Sequence, residues 1–100
     1  MIRTLLVAAL TIVLSACGDS SPGLLAGTWK VSGGVPITIT FRSGETETMG
    51  MIEKVGYATD GQSVVVTYKD GIMKGTAIRF SLLSPTTAQA MNMTYRKVGG

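Results

Sequence analysis

The run Asp60-Gly61-Gln62-Ser63-Val64-Val65-Val66-Thr67-Tyr68-Lys69-Asp70-Gly71 places two Asp-Gly pairs ten residues apart. Asp-Gly readily takes the positive φ values of a tight hairpin turn. Between the pairs, Val64, Val66 and Tyr68 share one face of a period-two pattern, and Ser63, Val65, Thr67 and Lys69 share the other. Period two is the signature of a strand with one buried face. A strand bounded by two hairpin signals predicts an antiparallel meander.

The same pattern extends in both directions. Upstream, Leu25, Gly27, Trp29 and Val31 alternate with Thr28, Lys30 and Ser32, and Ser32-Gly33-Gly34 breaks the run. Pro36 sits at a strand start, where a missing N–H is tolerated. Ile37, Ile39 and Phe41 then alternate with Thr38, Thr40 and Arg42, and Ser43-Gly44 turns the chain. Residues 45–51 alternate weakly and read as one further strand. Val55 and Tyr57 lead into the first Asp-Gly. Downstream, Thr76, Ile78, Phe80 and Leu82 alternate with Ala77, Arg79 and Ser81 up to the breaker Ser84-Pro85-Thr86. Met91, Met93 and Tyr95 form the inward face of a last strand, with Asn92, Thr94 and Arg96 outward. The expected fold is all-β: a small antiparallel meander, barrel-like or an open sandwich, of six to seven strands over residues 24–98.

The N-terminus is different. Met1 to Thr4 carries one positive charge, Arg3, and residues 5–14 are apolar-dominated. As a helix this run would span about 15 Å, half a bilayer core, which is too short for a permanent transmembrane helix. It ends in Leu14-Ser15-Ala16-Cys17. That tetrad resembles the lipobox of bacterial lipoproteins, in which an aliphatic residue and two small residues precede the cysteine that is lipidated. The resemblance implies a signal peptide over residues 1–16, a lipidated Cys17 and membrane attachment through an N-terminal lipid. Residues 17–23, with Gly18-Asp19-Ser20-Ser21-Pro22-Gly23, read as a flexible tether. In such lipoproteins an Asp directly after the cysteine retains the protein in the inner membrane. Here that position is Gly18, which implies an outer-membrane anchor with the domain facing the periplasm.

Composition removes several functions. The chain has no histidine, which excludes Ser-His-Asp and Cys-His nucleophile systems and His-ligated zinc. A single cysteine excludes an intramolecular disulfide. The net charge of +3 is small and its basic residues are scattered, so no nucleic-acid surface is expected. Glu45 and Glu47 alternate on one face, but nothing nearby would raise the pKa of either as a glycosidase pair needs. They read as a solvated edge strand whose like charges discourage aggregation. No enzyme activity and no cofactor are expected.

Two constellations bear on binding. Gly27-Thr28-Trp29 resembles the G-x-W motif of lipocalins. In that family the Trp closes one end of the barrel and an Arg from the last strand packs over it. The resemblance implies a Trp29–Arg96 stack and a small apolar ligand in a pocket lined by Trp29, Ile39, Phe80 and Met91. The chain is much shorter than a lipocalin, and the residues favour the plainer reading, a core Trp on an amphipathic strand with an interior filled by side chains. Separately, Met49-Gly50-Met51 and Met91-Asn92-Met93 would each present two thioethers on one strand face. Soft thioethers select Cu(I); the alternative is methionine as a core gap-filler.

The expected function is that of a non-catalytic, outer-membrane-anchored lipoprotein whose β domain binds an envelope protein partner, as an assembly factor, inhibitor or immunity protein. The alternative is a small-ligand carrier, for an apolar molecule or for Cu(I). A filled interior with an exposed strand edge favours the partner binder. A solvent-open pocket favours the carrier.

Overall fold

The computed structural model describes residues 20–33 and 36–100. The signal peptide expected over residues 1–16, and Cys17, lie outside the described residues. Eight strands run β1 (Gly27–Val31), β2 (Thr38–Arg42), β3 (Glu45–Thr48), β4 (Met51–Asp60), β5 (Ser63–Tyr68), β6 (Ala77–Ser84), β7 (Thr87–Ala90) and β8 (Met93–Gly99). Each pairs antiparallel with its sequence neighbour, and β8 returns to β1, so the meander closes into a barrel. Closure satisfies the backbone groups that an open sheet would leave along its two edges.

The alternation read in the sequence sets which side chains point inward. Trp29 lies opposite Ile39, and Tyr57 opposite Val66, which in turn faces Ile78. All of these are buried. Thr28, Lys30, Thr40, Arg42 and Arg79 fall on the outer face. Phe41, Phe80 and Tyr95 pack edge-to-face, with centroids 5.2 Å apart for Phe41–Phe80 and 5.3 Å for Phe80–Tyr95. Each large side chain fully removed from water contributes about 1.5–3 kcal/mol.

Eight strands form where six to seven were expected. Residues 45–51 are not one strand. Thr48 pairs with Met51 across a two-residue turn in which Met49 has φ 52° and Gly50 φ 87°. The stretch from Thr87 to Ala90 also forms a strand, and Ala90 pairs with Met93 across Met91 (φ 49°) and Asn92 (φ 63°). Both connections have positive φ at both central residues, the twist that suits a right-handed hairpin. Methionine is an uncommon occupant of that conformation, so neither turn announces itself in sequence. The second Asp-Gly departs the other way: it opens a longer loop, 69–76, rather than a tight hairpin. The loop is closed by Gly75 N–H donating to the Tyr68 carbonyl (2.9 Å) and tied to β4 by Lys54 N–H donating to the Asp70 carboxylate (2.9 Å).

The expected tether is shorter than residues 17–23. Gly44 N–H donates to the Ser20 carbonyl (2.8 Å), Pro22 is buried, and Gly23–Leu25 forms one 3-10 turn. That turn covers one end of the barrel, beside the β2–β3, β4–β5 and β6–β7 turns. Trp29 lies beneath it, fully buried, and its Nε1–H donates to the Leu25 carbonyl (2.9 Å). The β1–β2, β3–β4, β5–β6 and β7–β8 connections gather at the opposite end.

Candidate functional site

The aromatic side chains do not fill the barrel evenly. Trp29, Phe41 and Tyr57 occupy the half under the 3-10 turn and are at most 1% exposed. Toward the other end the interior opens into a cup of about 350 Å³. Its floor is Phe80, with Tyr68 and Tyr95; Ile39 and Ile78 line the wall. Met51, Met73, Met91 and Met93 stand around it, with Ile37 and Ile72 from the flanking loops. The volume falls at the small end of ordinary ligand pockets, about 300–1,000 Å³.

The structure brings together three of the four expected pocket residues: Ile39, Phe80 and Met91 line the cup. Trp29 is inward but sits at the closed end, where its hydrogen bond to Leu25 holds the 3-10 turn down. The Trp29–Arg96 stack is not formed. Arg96 is exposed on the outer face, opposite Lys30 and Thr87, because it follows the inward Tyr95 by one residue. The regular register that sets Val31 opposite Tyr95 and Lys30 opposite Arg96 sets Lys97, not Arg96, opposite Trp29, and the register shifts only beyond this point, between Trp29 and Thr28. Gly27 is required at this crossing: at φ 121°, a Cβ there would come within 2.6 Å of the Gly99 carbonyl oxygen.

The two Met-x-Met pairs are hairpin turns, not strand faces. Met49 is 75% exposed and takes no part in the cup. Met51, Met91 and Met93 do converge, because both turns lie at the open end, and Met73 joins them from the 69–76 loop. Sequence reading missed Met73; its only signal was a place in a loop after an Asp-Gly. Among the described residues no group of three or more His, Cys, Asp or Glu is placed to hold a metal.

Among the described residues, the hydrogen-bonding side chains that line the cup are Thr48, Glu53, Tyr68 and Tyr95. Glu53 and Thr46 lie directly opposite each other on β4 and β3, and both face inward. Thr46 is fully buried and its Oγ1 has no hydrogen-bond partner. Its hydroxyl is close enough to the Tyr68 phenol to favour the phenolate slightly, without hydrogen-bond geometry. Burial dominates and pushes the Tyr68 phenol up; the nearby Glu53 charge adds to this. Tyr95 is also pushed up, by burial first and Tyr68 second. Glu53 is half-buried, and a side chain at Gly71 would overlap its carboxylate, so the carboxylate lies directly against that loop.

Glu45 and Glu47 are not a lone like-charged pair on an edge. Arg42 holds both, Nε at 2.8 Å from Glu45 and Nη2 at 2.7 Å from Glu47, on the outer face of a closed barrel. The two carboxylates raise the Arg42 pKa. Beneath them, the Tyr57 hydroxyl donates to the Glu45 carbonyl (2.8 Å) and also approaches the Arg42 carbonyl (3.1 Å), which pins the β2–β3 turn.

These features define a small up-and-down β-barrel with one plugged end and one open, apolar end. Comparison with known proteins finds no matching family model, no matching characterised protein and no matching solved structure.

Proposed function

We propose that this barrel is a carrier that holds a small apolar molecule in the cup at its open end. The observation that supports the reading is the 350 Å³ apolar recess over Phe80, open to solvent in an otherwise tightly filled interior. Phe80, Tyr68 and Tyr95 are themselves buried, but the rim residues Met51, Ile72 and Met91 are more than half exposed, and an apolar guest seated in the cup would cover them. Methionine suits the wall, since its flexible thioether adapts to guests of different shape. Binding of a protein partner by strand addition has less support, because closure of eight strands leaves no free sheet edge among the described residues.

The Leu14-Ser15-Ala16-Cys17 tetrad supports a lipid anchor at Cys17 and residence in the bacterial envelope, at the outer membrane. Among the described residues no helix is long and apolar enough to cross a membrane.

The test is titration with the neutral fluorophore phenylnaphthylamine, whose emission rises in apolar surroundings. Saturable binding at one site, weakened at least tenfold by Met91→Asp at the exposed rim with the barrel still folded by circular dichroism, is the expected result. Absence of saturable binding to the native protein overturns the reading.

A second reading has one specific observation behind it: Met51, Met73, Met91 and Met93 border the same cup. Thioethers so gathered could take Cu(I). Replacing Met91 and Met93 together by Leu keeps the apolar wall and removes two donors. Competition with a Cu(I) chelator separates this reading from the first, since the double variant should lose copper and keep the fluorophore.

A further inference from the structure

We propose that the molecule the cup takes is a cation, an apolar amine whose ammonium group is held by Glu53. This rests on the carrier reading and adds to it the charge of the guest. Glu53 is the one charged residue among those that line the cup. It points inward because it alternates with the buried Val55 and Tyr57 on β4, and it lies opposite the fully buried Thr46. An inward, half-exposed carboxylate on an apolar wall is open to pair with a cation that enters the cup, unless a group of the protein pairs with it first. Among the described residues nothing does. The ion pairs are Arg42 with Glu45 and Glu47, and Arg79 with Asp60, all on the outer surface. Among the described residues no hydrogen bond reaches the Glu53 carboxylate either, although Asp70, in the facing loop, is occupied by Lys54 N–H.

The rest of the lining fits the same guest. The electron-rich faces of Tyr68, Phe80 and Tyr95 attract cations, and Met sulfurs are polarizable. An anionic guest would meet the Glu53 charge with no Lys or Arg in the lining to offset it. A neutral guest would fill the recess and leave the carboxylate unpaired.

Three probes with the same chain test this on the full purified protein: octylammonium, octanol and octanoate, each displacing phenylnaphthylamine at neutral pH. Octylammonium should bind at least tenfold more tightly than octanol, and octanoate more weakly than both. Glu53→Gln keeps shape and should erase the preference of amine over alcohol, while octanol affinity stays within twofold and shows the variant to be folded. Equal affinity for amine and alcohol in the native protein overturns the inference and leaves the carrier reading standing. So does an amine preference that survives in Glu53→Gln. If none of the three displaces the fluorophore and the fluorophore itself does not bind, both fail.

Discussion

The indole Nε1–H of Trp29 donates to the carbonyl of Leu25, four residues earlier, at 2.9 Å, with both residues fully buried. This bond ties the first strand to the 3-10 turn that plugs the barrel. Trp29→Phe keeps an aromatic ring but leaves a buried carbonyl without its donor and leaves part of the space empty. The expected loss is about 1–3 kcal/mol for the orphaned group, more with the cavity included. A urea midpoint unchanged from the native protein would show that the plug is held by other contacts.

Thr46 is the opposite case. Its Oγ1 is buried with no partner, so Thr46→Val, which is nearly isosteric, removes a desolvated hydroxyl. The variant should be equal to or more stable than the native protein, by up to about 1 kcal/mol. A lowered thermal midpoint would mean that the hydroxyl has a partner in solution, and the neighbouring Tyr68 phenol would be the place to look.

Three phenols make the barrel sensitive to alkali. Tyr57, Tyr68 and Tyr95 all have pKa values raised from the ordinary 10.0, in each case chiefly by burial. The unfolded chain therefore releases these protons at lower pH than the folded one. Above about pH 10 the folded state binds more protons, and stability falls as pH rises through the folded values. Below pH 10 this contribution is fully present. Phenolate absorbance should appear together with loss of the β signal in circular dichroism. Smooth ionisation of all three with the fold intact would contradict the burial argument.

Arg96 supplies the control. It is exposed, it makes no ion pair among the described residues, and it lies on the opposite side of the sheet from Trp29. Arg96→Ala should change stability by no more than about 0.5 kcal/mol and leave Trp29 emission unmoved. A shift in that emission would indicate that the last strand pairs one residue out of the observed register.

Cys17→Ser tests the anchor by itself. The variant should leave the membrane fraction or remain unprocessed. Recovery of a mature, membrane-bound Cys17→Ser protein would end the lipoprotein reading.

Much of the barrel was legible because its strands alternate cleanly. Ile39 and Phe41, Val64 and Val66, and Ile78 and Phe80 announced both the strands and their inward faces. What stayed hidden were the two turns at the open end. Met49-Gly50 and Met91-Asn92 place a methionine at positive φ, where propensity expects Gly, Asn or Asp, so the chain looks continuous through each. Missing those turns hid β7 and set the Met pairs on strand faces. Glu53 was invisible for a related reason. Val55 and Tyr57 read only as the lead-in to the first Asp-Gly, and the strand is not carried back through Glu53, which shares their face by period two. The Trp29–Arg96 stack implied by the lipocalin resemblance conflicts with the alternation itself: Arg96 follows the inward Tyr95 by one residue and so falls on the face opposite Trp29.

The chain enters the barrel at the plugged end, where Ser20 meets Gly44, and the cup opens at the other. With Cys17 anchored three residues before Ser20, the bilayer would lie at the plugged end and the mouth would look away from it. Loading would then be a matter of aqueous supply: a guest must first leave any membrane and cross water to be caught. That route favours amphiphiles that dissolve as single molecules, and it discriminates against neutral lipids that never leave the leaflet.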